Sequence, residues 1–139
     1  MAMIRFADTS GWGSWLEQRD KHHALAVEAF EAVWLSDDSL VTTNWVLVEL
    51  TALLISPLRY SRRKQIQIMT SLRTSSSVRI VEIDAPTEHD VWLFWESRGD
   101  KDWSLTDCSS FVVMNREGLT EAVTADHRFE QAGFVRLLK

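Results

Sequence analysis

The stretch Asp102-Trp103-Ser104-Leu105-Thr106-Asp107-Cys108-Ser109-Ser110-Phe111-Val112-Val113-Met114 decides how the rest of the chain is read. Ser104 is a good N-cap, and Asp107, three residues on, can close a capping box with it. Leu105, Cys108, Phe111 and Val112 recur at helical spacing, and Val113 and Met114 widen the apolar face. The spacing predicts a mostly buried helix that stops at Gly118. Asp107 can serve that helix as nothing more than a cap at its positive end. Yet three other acids, Asp8, Glu49 and Asp126, stand in similarly apolar settings at the end or face of a predicted element.

Beyond this helix, Ala122 to Ala125 reads as a strand ending at Asp126. His127 to Ala132 then reads as a short helix stopped by Gly133, and Phe134 to Leu138 as a last edge strand. Before it, Val78 to Ile83 alternates like a strand, and Asp84 leads through Pro86 into a helix to about Ser97. Leu58 to about Arg73 is amphipathic and basic. Asn44 precedes a strongly apolar helix, Trp45 to Ile55, which Ser56-Pro57 ends. Leu40 to Thr43 is a strand, His22 to Trp34 a helix, and Ile4 to Ala7 a buried strand stopping at the loop signal Asp8-Thr9-Ser10-Gly11. Strands alternating with helices imply an α/β fold whose parallel sheet is covered on both faces. With no repeat or linker, residues 1–139 are expected to form one domain.

The totals are those of an ordinary globular protein, 45% hydrophobic and 25% charged. One cysteine gives no disulfide framework and no Cys-based zinc site. No apolar run approaches the ~20 residues of a membrane span, and the first residues lack the apolar core of a signal peptide. A cytoplasmic protein with no membrane contact is therefore expected. A net charge of −5 argues against non-specific coating of nucleic acid, but not against a nuclease whose acidic cleft holds cations. Seven tryptophans suggest a core plus at least one apolar contact surface.

In open α/β sheets, sites form outside the carboxyl ends of the strands. Asp8 ends the first strand and Asp126 the fourth, so the two lie side by side if those strands are neighbours. Glu49 sits in a helix so apolar that burial nearly all round is expected, and a buried carboxylate needs a cation, a donor or a proton. Two carboxylates ~4 Å apart repel by about 4 kcal/mol at an effective dielectric of ~20. Converging acids with no Lys or Arg placed to pair all of them would protonate some members or demand a counter-ion, and hard oxygen donors favour Mg²⁺ or Mn²⁺. Such a centre suits phosphodiester hydrolysis.

Phe6-Ala7-Asp8-Thr9-Ser10, Val48-Glu49-Leu50, Ser104-Leu105-Thr106-Asp107-Cys108 and Thr124-Ala125-Asp126-His127-Arg128-Phe129-Glu130-Gln131-Ala132-Gly133-Phe134 occur in that order. Together these pieces, spanning nearly the whole chain, resemble a PIN domain, and most of all the VapC-type ribonuclease toxins of bacterial toxin–antitoxin pairs. The resemblance implies a three-layer α/β/α sandwich and metal-dependent cleavage of RNA. It makes Asp8, Glu49 and Asp107 catalytic metal ligands, with Asp126 as the fourth acid and Thr9 or Ser10 as a hydroxyl orienting Asp8. It also implies a homodimer and a cognate antitoxin.

Arg59, Arg62, Arg63 and Lys64 crowd one predicted helix and could meet an RNA backbone, although a solvated face is the simpler explanation. Trp92 and Trp95, three apart, suggest a contact with another protein. His22, His23, His89 and His127 show no ligand spacing, and Cys108 has no histidine to activate it. Asp102 could support the site from its loop, but a loop acid is usually just solvated. Two other functions fit parts of the pattern. A phosphatase would use Asp8 as a covalent nucleophile, but its expected second acid is Ser10 here. A binding module of the same fold, without turnover, would need no complete set of acids.

Overall fold

The computed structural model describes residues 2–139. In chain order the elements are β1 (Ile4–Ala7), α1 (Thr9–Leu16), α2 (His23–Trp34), β2 (Ser39–Thr43), α3 (Asn44–Ile55) and α4 (Arg62–Thr74). They continue with β3 (Val78–Val81), α5 (Ala85–Glu96), α6 (Leu105–Glu117), β4 (Glu121–Val123), α7 (Arg128–Gln131) and β5 (Val135–Arg136). The five strands form one sheet in the order β3-β2-β1-β4-β5, and every neighbouring pair is parallel. From β1 the chain steps outward through β2 to β3, then crosses back to place β4 on the other side of β1. Right-handed crossovers put α1–α4 on one face and α5 and α6 on the other. The packing agrees: α1 meets α2 and α3, α3 meets α4, and α5 meets α6. The expected three-layer α/β/α architecture is present.

The central strands are apolar because both their faces are covered. Phe6, Ala7, Leu40 and Val41 are fully buried, and the hydroxyl of buried Thr42 donates to the carbonyl of Ala7 at 2.8 Å. Phe111 of α6 meets Phe129 of α7 edge-on at 4.9 Å, which fastens α7 to the core. The capping box on α6 forms as expected, with Gly118 in the left-handed region at its end.

Several boundaries differ from those expected. Thr9-Ser10-Gly11-Trp12-Gly13 is not a loop but the start of α1, capped by Asp8. Its glycines serve packing: a Cβ on Gly11 would stand 2.0 Å from the carbonyl oxygen of Val123, and one on Gly13 2.8 Å from Leu53. Thr43, not Asn44, caps α3, and the Asn44 side chain instead accepts from the amide of Ile83 at 2.7 Å. The helix expected from Leu58 starts only at Arg62, behind a Ser61 cap, because Arg59 adopts a left-handed φ of 55°. Arg59 is therefore not on that helix. Strands β3, β4 and β5 are each shorter than expected, since pairing stops where the chain turns into the next connection.

The largest departure concerns α3. It buries one face, through Val46, Leu47, Leu50 and Leu54, and leaves Val48 and Ile55 exposed. Glu49 lies on the exposed side rather than in an apolar interior. On α5, Trp92, Leu93 and Trp95 are likewise exposed while Val91 is buried. Among the described residues, no helix is long and apolar enough to cross a membrane.

Candidate active site

The order of strands reverses between β1 and β4, and the acids gather at the carboxyl ends of these two strands. Asp8 follows β1 directly and is only 8% exposed. Its Oδ1 accepts from the amide of Gly11 at 2.9 Å and the hydroxyl of Ser10 at 2.8 Å, and its Oδ2 accepts from the hydroxyl of Thr124 at 2.9 Å. Each hydroxyl spends its one proton on Asp8, so each can accept elsewhere. Ser10 Oγ takes the amide of Ala125 at 2.9 Å, and Thr124 Oγ1 takes the amide of Asp126 at 3.0 Å. The turn after β4 is thus sewn to the start of α1 through Asp8. Burial pushes the Asp8 carboxyl up to about 7; the Gly11 amide and the Ser10 and Thr124 hydroxyls oppose this rise, and the charge of Asp126 adds to it.

The other acids are held differently. Asp107 is half-buried at the head of α6, where Oδ2 accepts from the amide of Ser104 at 3.0 Å. Burial raises its carboxyl above the ordinary range, the Ser104 bonds oppose this, and the charges of Asp126 and Glu49 raise it further. Asp126 Oδ1 accepts from the amide of Arg128 at 2.9 Å and from its guanidinium at 3.3 Å. Glu49 Oε1 takes the hydroxyl of Thr9. Each of these three acids has one oxygen tied to a protein donor and a second with no protein hydrogen bond among the described residues.

The four acids therefore share one end of the sheet and feel one another's charge, with Asp126 acting on both Asp8 and Asp107, and Glu49 on Asp107. They do not close on a single point: among the described residues no group of three His, Cys, Asp or Glu side chains stands ready to hold a metal ion. One oxygen of each outer acid is already engaged, Asp107 and Asp126 within their own cap or turn and Glu49 across to Thr9 of α1. As a donor set the free carboxylate oxygens are hard and all-oxygen, which suits Mg²⁺ or Mn²⁺ rather than zinc. Beside Glu49 runs an open groove of about 390 Å³ lined by Trp45, Val48 and Thr106.

The two hydroxyls expected near Asp8 divide their work: Ser10 orients Asp8, whereas Thr9 holds Glu49. Thr124 and Arg128 carry roles that the sequence left unassigned. The hint for Thr124 was its place two residues before Asp126, at the end of a strand next to β1. Of the four acids Arg128 pairs with Asp126 alone, and it also pairs with Asp102. Arg59, Arg62, Arg63 and Lys64 are exposed and pair with none of the four acids. Cys108 is buried, and burial pushes its thiol up to about 11, which suits a core residue. His127 is exposed, with Nδ1 3.8 Å from Asp126.

The model of the PIN domain matches residues 5–135. The chain belongs to the PIN-domain family. This PIN domain is 30% identical over 133 residues to the 23S rRNA-specific endonuclease VapC20 of Mycobacterium tuberculosis, covering 95% of this chain and 96% of that protein. The crystal structure of Mycobacterium tuberculosis VapC20, a sarcin-ricin loop cleaving toxin, matches at a TM-score of 0.84 and 26% identity, over 98% and 99% of the two chains. The structure of FitAcB from Neisseria gonorrhoeae matches at 0.63 over 99% and 97%, and at 19% identity it speaks for the fold alone.

Proposed function

We propose that this PIN domain is a divalent-cation-dependent endoribonuclease that cleaves ribosomal RNA at an exposed loop in the cytoplasm, as the toxin of a type II toxin–antitoxin pair. The observation that carries the proposal is Asp8: a nearly buried carboxylate, aimed by three donors, set among three further acids at the reversal of strand order. The likeness to a 23S rRNA-specific endonuclease supports the substrate class.

Asp8, Glu49, Asp107 and Asp126 would hold Mg²⁺ or Mn²⁺, which when bound supplies water activation and offsets the charge of the phosphate. The protein's own part is orientation. Gly11, Ser10 and Thr124 fix Asp8 and favour its ionised form. Thr9 holds Glu49, and the capping box holds Asp107 at the head of α6. Without a cation this acidic end of the sheet would repel an RNA backbone. The covalent phosphatase is disfavoured because Ser10, which donates to Asp8, stands where its second acid would be expected.

Two apolar surfaces suit the proposed partners. A cavity of about 330 Å³ is lined by Trp12, Trp15, Trp34, Ile68, Leu72 and Val78, and suits an inserted apolar segment of an antitoxin. The exposed aliphatic side chains Val48, Ile55 and Ile66 offer a flatter face for a second copy of the chain. The unpaired cations Arg62, Arg63 and Lys64 on α4, with Arg59 before it, are available to an RNA backbone.

The test is cleavage of RNA in purified ribosomes, with the new ends mapped by primer extension. Wild-type protein with Mg²⁺ is expected to cut within a loop of 23S rRNA, and Asp107→Ala to leave it whole. Equal cutting by Asp107→Ala, with contaminating nuclease excluded, would overturn the proposal.

A further inference from the structure

Arg128 opens α7 two residues after Asp126, and its guanidinium reaches two carboxylates at once. Nη2 donates to Asp102 Oδ2 at 2.8 Å and Nε to Asp102 Oδ1 at 3.3 Å, while Nη1 donates to Asp126 Oδ1 at 3.3 Å. The same Asp126 oxygen also accepts the backbone amide of Arg128 at 2.9 Å. Asp102 comes from the loop between α5 and α6, so two separate pieces of chain meet at one guanidinium.

An exposed ion pair of this kind adds little to folding, and the Asp102 side chain is 69% exposed. Holding the fold together is therefore a poor explanation for the arrangement. Direction is a better one. A two-pronged bond to Asp102 fixes the plane of the guanidinium, and the fixed guanidinium, with the Arg128 amide, fixes one oxygen of Asp126. The other Asp126 oxygen is left without a protein partner, while the Asp126 charge is felt by both Asp8 and Asp107. Asp102 also cancels the charge of Arg128. Without it the Arg128 charge would rest on Asp126 alone, competing for the place of a divalent ion.

Resting on the nuclease assignment above, we propose that Asp102 and Arg128 form a positioning clamp that sets Asp126 for the divalent ion, with Asp102 acting only through Arg128. Loss of a group that orients a metal-binding side chain typically lowers metal affinity ~10–100-fold.

The experiment is calorimetric titration of the purified full-length chain with Mn²⁺ alone, for wild type, Asp102→Ala, Asp102→Glu and Arg128→Ala. Thermal melting in EDTA accompanies it as a control for folding. Asp102→Ala and Arg128→Ala are expected to bind Mn²⁺ at least about 10-fold more weakly at unchanged melting temperature. Asp102→Glu, which keeps the charge, is expected to recover most of the loss. In RNA cleavage, the defect of Asp102→Ala is expected to shrink as Mn²⁺ is raised, with KM for RNA unchanged. Wild-type affinity in Asp102→Ala would overturn the clamp, and so would tighter binding by Arg128→Ala, the mark of a mere competing cation. A wild-type chain that binds no Mn²⁺ would overturn the nuclease assignment and the clamp together.

Discussion

The acidic end of the sheet has an inner and an outer wall, and they are built on opposite plans. The inner wall is Asp8 with Ser10, Gly11 and Thr124, nearly buried, every carboxylate oxygen occupied, and stitched between residues more than a hundred positions apart. The outer wall is Glu49, Asp107 and Asp126, half-buried or exposed, each held by one oxygen only, Asp107 and Asp126 within their own cap or turn and Glu49 by Thr9 of α1. The inner acid is therefore part of the folding problem, whereas the outer acids are mounted on a fold that stands without them. Substitutions at the two walls are expected to have similar effects on RNA cleavage and very different effects on stability.

The largest effect belongs to Asp8. In the unfolded chain its carboxyl titrates near 3.8, and in the folded one near 7. Between these values the folded state binds more protons, so metal-free stability falls as pH rises from about 4 to about 7 and stays low above. Asp8→Asn removes that fall, since Thr124 can turn its hydroxyl to accept from the new amide. Urea unfolding in EDTA at pH 8 is expected to show a gain of up to ~4 kcal/mol, with cleavage abolished. An unchanged pH slope in Asp8→Asn would show that the inner acid carries no such burden.

Gly11→Ala ranks next, with the opposite sign. Its Cβ would collide with the backbone of β4 at Val123, where no flexible side chain can yield, and a loss of about 3 kcal/mol is expected in the same unfolding experiment. Thr124→Val keeps the shape but leaves Asp8 Oδ2 and the Asp126 amide without a partner. About 2 kcal/mol of stability should go with it, and cleavage should fall by ~10–100-fold. The smallest effect is at the outer wall. Glu49→Gln should leave stability within ~0.5 kcal/mol of wild type while removing cleavage. A large destabilisation there would erase the distinction between the walls.

The same division explains what the sequence disclosed. The Asp107 capping box was legible because its partners lie three residues apart, and Asp8 and Asp126 were legible as strand-end acids because β1 and β4 are apolar runs with clear stops. Thr124 was not, since its role exists only when residue 8 is brought across from residue 124. The start of α1 was hidden because Asp8-Thr9-Ser10-Gly11 read as loop, whereas the absent side chains of Gly11 and Gly13 let the helix press against β4 and α3. Glu49 was singled out by an argument that the fold does not support: the apolar run around it faces outward at Val48 and Ile55, so burial does not set it apart. The role of Arg128 was hidden because, although Asp126 is two residues away, Asp102 comes from a different connection and only the fold brings it within reach.

The most direct test is cleavage of a loop-containing RNA by wild type and Asp8→Asn, each with Mg²⁺ and with EDTA. Cutting by wild type in Mg²⁺ alone, with the other three reactions silent, is the predicted result. Cutting that survives EDTA or the Asp8→Asn substitution undiminished would contradict a divalent-ion nuclease centred on Asp8.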